Sequence, residues 1–322
     1  MQLDQATTAF LEMLRASGGK PLYEQTVGEV RDAIRALSLQ LGGPRAEVHH
    51  VSDRKIPGAA GEVGARLYLP RSAAKNELLP VVIHYHGGGW VAGDLDTHDA
   101  IARNYCKQAD AAVLSVDYRL APEHKFPAAA EDAYAALLWA FAHARDWGAD
   151  PNRIAVTGDS AGGNLAAAVC QVTKARGGPR IAFQALLYPS LDLDPAGDYP
   201  SRKLYGGGDY FLSTRDMEWF ASLYSVTSNE AIKDVRASPL AGRDLLGLPA
   251  ALVVTAGFDP LRDEGRAYAD RLTAAGVPAE YRCFEGTIHA FVSFSAAIPA
   301  GQEAVSLIAS RLRKALGGAR SL

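Results

Sequence analysis

Apolar and polar positions change rhythm twice along this chain. Up to about residue 45 the spacing is helical. Leu3, Phe10, Leu11 and Leu14 fall on one side of a first helix. Val27, Val30, Ile34, Leu37 and Leu41 mark a second, opened by the capping box Thr26-Val27-Gly28-Glu29 and stopped by Gly42-Gly43-Pro44. Two extended stretches follow, Ala46–Ile56 and Gly61–Leu69, joined at a Pro57-Gly58 turn. They read as an antiparallel hairpin on a sheet edge. No strand precedes the two helices, so they cannot be crossovers. They are expected to pack over the entrance to a site.

From Pro80 the chain alternates between short apolar runs and helical patterns. The runs are Val81–Tyr85, Ala112–Val116, Ile154–Thr157, Phe183–Tyr188, Ala251–Thr255 and Tyr281–Phe284. The helices between and after them are Ala100–Gln108, Ala129–Trp147, a segment from Gly163, Glu264–Ala275 and Glu303–Leu316. Near-continuous apolar strands separated by helices predict an α/β fold, with a mostly parallel sheet covered on both faces. The alternation is broken from Leu191 to about Leu240, where Gly206-Gly207-Gly208 precedes a predicted helix, Arg215–Tyr224. Some 50 residues exceed what a connection needs. The organisation expected is therefore cap helices over 1–45, a core of 46–190 and 241–322, and a second cap segment, 191–240, inserted in that core.

Composition narrows the class. A 322-residue chain with a net charge of −3 and no Lys/Arg block offers nothing to attract nucleic acid or an anionic membrane. No apolar run approaches the ~20 residues of a membrane helix. Met1–Gln5 lacks a basic n-region and an apolar core, so it does not read as a signal peptide. Cys106, Cys170 and Cys283 are far apart and odd in number, which points to buried free thiols and a reduced, cytoplasmic setting. No metal-ligand spacing is present, and no metal or cofactor is expected.

Three motifs carry chemistry. Gly158-Asp159-Ser160-Ala161-Gly162 ends one apolar run and opens a helix, a G-x-S-x-G turn that throws a serine into the open on a strained bend. His86-Gly87-Gly88-Gly89-Trp90 follows the strand Val81–Tyr85 and offers unobstructed backbone N–H groups. Both lie at the carboxyl ends of predicted parallel strands, the edge where open α/β sheets bind ligands. The amides of Gly88, Gly89 and Ala161 are the candidate oxyanion hole. A serine hydroxyl needs a base, and the base needs an acceptor to hold its tautomer. Of the eight histidines, His49, His50 and His143 read as surface; His84 and His86 flank the glycine loop; His98 and His124 fall in loops or helix starts. His289 alone follows the last strand on the functional edge. Asp259, directly past its strand and before Pro260, is the candidate acid, with Asp263 and Glu285 as rivals. Asp263 and Glu264 fit the first turn of a helix.

These motifs, with Asp117-Tyr118-Arg119-Leu120-Ala121-Pro122-Glu123 and Asp259-Pro260-Leu261-Arg262-Asp263-Glu264, resemble those of the hormone-sensitive-lipase-type (family IV) bacterial esterases of the α/β-hydrolase superfamily. The likeness runs from about residue 50 to the C-terminus. It implies an α/β-hydrolase fold with a helical cap and a Ser160–His289–Asp259 triad. It also implies a structural role for Tyr118, Arg119 and Glu123 beside the site. The activity it implies is hydrolysis of short- to medium-chain acyl esters without cofactor, the partners being a small-molecule ester and water. A homodimer through the last sheet edge is compatible with it. Amides, lactones or carbamates are alternative substrates for the same triad, and a ligand-binding receptor on an inactive hydrolase fold is the rival class.

Overall fold

The structure, a computed structural model, describes residues 2–72, 77–226 and 228–317. Its strands are β1 (His50–Gly58), β2 (Gly61–Leu69), β3 (Leu79–Tyr85), β4 (Ala112–Asp117), β5 (Ala149–Asp159), β6 (Phe183–Leu187), β7 (Ala250–Phe258) and β8 (Ala279–Ile288). They form one sheet in the order β1-β2-β4-β3-β5-β6-β7-β8. β2 is antiparallel to both of its neighbours; every other pairing is parallel.

The helices are α1 (Gln5–Ala16), α2 (Val27–Leu41), α3 (Asp99–Ala109), α4 (Ala128–His143) and α5 (Ala161–Ala175). Three more, α6 (Pro200–Tyr205), α7 (Thr214–Tyr224) and α8 (Asn229–Ile232), lie in the excursion between β6 and β7. The last two are α9 (Arg262–Ala274) and α10 (Ala300–Leu316). Successive strand residues face opposite sides of the sheet. Val81, Ile83 and Val156 therefore pack with Leu137, Leu165 and Tyr268 of α4, α5 and α9. Val82, Val113 and Val254 pack with Tyr105 of α3 and with Ile308 and Leu312 of α10. All seven residues of β3 are buried, which is why the central strands lack polar alternation. Truncating one such central residue to alanine costs about 2–5 kcal/mol.

The chain departs from expectation at three joints. β1 runs through Pro57 and Gly58, and the turn falls at Ala59-Ala60. An outer strand tolerates the missing proline N–H, so Pro57 does not end it. The helix predicted to Trp147 ends as α-helix at His143 and tightens into a 3-10 turn, Ala144–Trp147, closed by Gly148 at φ 71°. α5 starts at Ala161 and not at Gly163, with one residue between strand and helix.

The N-terminal helices are fastened to the core. Arg31 of α2 donates to the carbonyls of Val91 (2.8 Å) and Ala121 (3.0 Å) and pairs with Glu123. Arg35 pairs with Asp94 and Asp96. Ahead of α1, the amide of Asp4 donates to the carbonyl of Gly286, 3.0 Å away.

Candidate active site

The single residue between β5 and α5 is Ser160. Its backbone lies at φ 54°, ψ −118°, where an L residue is strained by about 1–3 kcal/mol. Three bonds hold it there: its amide donates to Leu187 (2.9 Å), and its carbonyl accepts from Asn164 (3.0 Å) and Ser190 (3.2 Å). The glycines on either side are required by space. A Cβ at Gly158 would run into the backbone of Gly162 and Tyr85, and one at Gly162 into the carbonyls of Tyr85 and His86.

His289 comes immediately after β8, and Asp259 immediately after β7. Ala290, at φ 63°, turns the chain so that the imidazole faces the serine. The Ser160 Oγ lies 2.9 Å from His289 Nε2, and His289 Nδ1 lies 2.8 Å from Asp259 Oδ2. Asp259 is fully buried and its other oxygen accepts from the amide of Leu261. A carboxylate at Nδ1 places the ring proton there and leaves Nε2 free to accept from the hydroxyl. The edge of Tyr188 packs on the imidazole, with ring centroids 4.8 Å apart.

The glycine loop closes the third side. Gly88 and Gly89 have φ 122° and 61°, and Trp90 also lies at φ 61°. The amides of Gly88, Gly89 and Ala161 find no acceptor among the described residues. That of Ala161 belongs to the open first turn of α5, whose dipole also favours negative charge. The loop is held from beneath and above. Tyr118 Oη donates to the carbonyl of His86 (2.8 Å), and Ala121 donates to that of Trp90 (2.8 Å). Trp90 stacks flat on Tyr224 of α7, with centroids 4.7 Å apart.

A second buried carboxylate–imidazole pair lies beside the first. Asp159 accepts from the amide of Gly87 (2.9 Å) and faces His98 Nε2 at 3.2 Å. Burial pushes the Asp159 carboxyl up, but the neighbouring imidazoles, His98 first and then His84 and His86, together outweigh it and hold the net value below the ordinary range. Burial also drives His84 and His86 down to about 3 and about 4, so both stay neutral. The sequence places Asp159 inside the serine motif and His98 at a helix start, and nothing in the spacing announces that they meet.

The remaining candidates separate clearly. His49, His50, His124 and His143 are exposed. Asp263 is occupied by Arg262 and the amide of Ser201, and Glu285 is exposed. Glu264 does lie in the first turn of α9, but it is fully buried: it accepts from Leu191 (2.6 Å) and pairs with Arg202 (2.6 Å). Burial lifts its carboxyl to about 7 against the pull of Arg202. Arg119 grips the buried Asp132 through two nitrogens. Cys106 and Cys170 are buried free thiols, while Cys283 is only partly covered. Among the described residues no cluster of His, Cys, Asp and Glu is arranged to hold a metal ion, and no helix is long and apolar enough to cross a membrane.

Over Ser160 lies a cavity of about 110 Å³. Leu22 and Ile34 reach it from the N-terminal segment, and Phe211, Met217 and Phe220 from the excursion between β6 and β7.

A family model described as the alpha/beta hydrolase fold matches residues 82–293. The carboxylic ester hydrolase LipN of Mycobacterium tuberculosis is 49% identical over 268 residues, 82% of this chain and 69% of that protein. The ethyl acetate hydrolase of Pseudomonas putida is 33% identical over 98% of this chain and 100% of its own length. Among solved structures, the ester-hydrolase EH1AB1 from the metagenome of Lake Arreo, complexed with a bipyridine phosphonate derivative, superposes with a TM-score of 0.92. It is 41% identical, covering 98% of this chain and 100% of that one. The chain belongs to the α/β-hydrolase fold family and, within it, to the hormone-sensitive-lipase-type (family IV) carboxylic ester hydrolases.

Proposed function

We propose that this esterase works through an acyl-enzyme on Ser160, with His289 as base, Asp259 as the acid that orients it, and Gly88, Gly89 and Ala161 as oxyanion hole. What supports the reading above all is the unbroken line from Ser160 Oγ to His289 (2.9 Å) to Asp259 (2.8 Å), beside three amides without an acceptor. His289 takes the hydroxyl proton as Oγ attacks the ester carbonyl. The oxyanion is received by the three amides, and the imidazolium, stabilised by Asp259, hands its proton to the departing alcohol. Water then repeats the sequence on the acyl-enzyme.

The preferred substrates are esters of short- to medium-chain acids, since a cavity of about 110 Å³ holds a small group. The Pseudomonas putida relative is named for ethyl acetate. Residues 1–45 and 191–240 act as the cap, closing the cavity from above and setting its shape.

The test is turnover of p-nitrophenyl acetate, butyrate and longer esters, with matched anilides alongside. Wild-type enzyme should show ester turnover, and Ser160→Ala should lose both the burst and the steady rate. Persistent turnover by pure Ser160→Ala protein overturns the assignment.

A further inference from the structure

A second cavity, of about 750 Å³, lies between α1, the connection from α1 to α2, and residues 206–216 of the excursion. It is much roomier than the cavity over Ser160 and falls in the size range of small-molecule sites. The two share two wall residues, Leu22 and Phe211. Among the described residues no other side chain lines both.

Phe211 is an unusual partition. Its backbone lies at φ 77°, strained for a bulky L residue. It follows Gly206-Gly207-Gly208, where Cβ atoms on Gly207 and Gly208 would meet little. The segment is held to α1 by Arg15, which donates to the carbonyl of Asp209 (3.0 Å), and by Phe10, whose ring centroid lies 6.5 Å from that of Phe211. Backbone strain held in place beside a reactive centre marks a part that selects. The ring of Phe211 packs on Phe294, with centroids 5.4 Å apart, and Phe294 lies in the turn that follows His289. Phe220 and Met217, by contrast, line the catalytic cavity from α7, and Phe220 lies against Gly89.

We infer that the outer cavity binds the alcohol arm of the ester, and that Phe211 is the partition this arm must pass. The inference rests on the acyl-transfer reading above. In that reading the departing oxygen must face His289 Nε2, so the alcohol arm leads toward Phe294 and Phe211, while the oxyanion faces the glycine loop. The small catalytic cavity keeps the acyl group short. The outer one, walled by Leu11, Leu14 and Leu37, with the exposed Arg15, Lys20 and Arg215 also in its lining, accepts an extended apolar alcohol along the leucine side. The substrate class is thus a short-chain acid esterified to a long-chain or bulky apolar alcohol.

Two ester series separate the arms: acetates of primary alcohols from ethyl to dodecyl, followed by titration of released acid, and p-nitrophenyl esters of acids from acetate to laurate. Phe211→Ala should raise kcat/KM for dodecyl acetate relative to ethyl acetate by about tenfold or more, and Phe211→Trp should lower the ratio. Leu14→Gln, in the outer wall alone, should lower it as well. Circular dichroism and a melting curve establish that each variant is folded. Unchanged ratios in folded Phe211→Ala and Leu14→Gln proteins overturn the inference, and a gain confined to the acyl series overturns its choice of arm. Absence of ester turnover in wild-type enzyme would instead defeat the acyl-transfer reading.

Discussion

Two buried aspartate–histidine pairs flank Ser160, and their chemistry is nearly the same. Asp259 and His289 stand 2.8 Å apart at the ends of β7 and β8. Asp159 and His98 stand 3.2 Å apart, one at the end of β5 and one at the start of α3. Both carboxylates and both imidazoles are buried. The difference lies in what the far side of each pair touches. The imidazole of the first reaches a hydroxyl that can give up a proton. The carboxylate of the second reaches the amide of Gly87, which never does. In the proposed mechanism one pair moves a proton; the other bonds the glycine loop. Burial and pairing alone therefore do not mark a catalytic group.

The largest contrast is expected from removing the imidazoles. His289→Ala should cut kcat for p-nitrophenyl acetate by about 10⁶-fold. His98→Asn should keep most of the activity, and equal losses in steady-state kinetics would dissolve the distinction between the pairs. The carboxylates give the next effect. Asp259→Asn should lower kcat about 10⁴-fold by inverting the tautomer of His289. Asp159→Asn should cost about 10–10² through a slackened loop, with little change in KM. A pH–rate profile sharpens this further: the acid limb should keep its position in Asp159→Asn.

A smaller effect concerns stability. His84 and His86, held down to about 3 and about 4 by burial, cannot take the protons that the unfolded chain binds below the ordinary value of 6.5. That stability is intact above about 6.5, drains away as pH falls below it, and is fully lost once pH has passed about 4 for His86 and about 3 for His84. Each contributes a slope of about 1.4 kcal/mol per pH unit in that window. Urea midpoints at pH 7, 6 and 5 should drift downward in wild-type protein, and the drift should be shallower in His84→Asn. An identical slope would show that His84 is not the group responsible. Smallest is Tyr118→Phe, which strips the donor from the buried carbonyl of His86 and should cost about 1–3 kcal/mol in the same assay.

Much of the candidate site could be read from the sequence because its backbone dictates residue types locally. Gly158 and Gly162 are glycine because their Cβ atoms would strike neighbouring backbone, and Gly88 because a Cβ would strike the carbonyl of Ala92. Asp259 and His289 could be found because each follows its strand directly. The parallel sheet was visible in runs such as Val81–Tyr85. What escaped depends on contacts between distant segments. Asp159 meets His98 across 61 residues, and Glu264 meets Arg202 across 62. A first-turn glutamate looks the same in sequence whether it faces solvent or a buried guanidinium. The outer cavity is likewise assembled from α1 and the excursion, two stretches with no pattern in common.

The bond from Asp4 to Gly286 has a practical side. It joins the start of the described chain to the strand end that carries the imidazole, three residues before His289. An affinity tag fused ahead of Asp4 would tug on that joint, so preparations intended for kinetics are better labelled at the other terminus. A purification handle left on the front of the protein should show itself as a slower enzyme before it shows as a less soluble one.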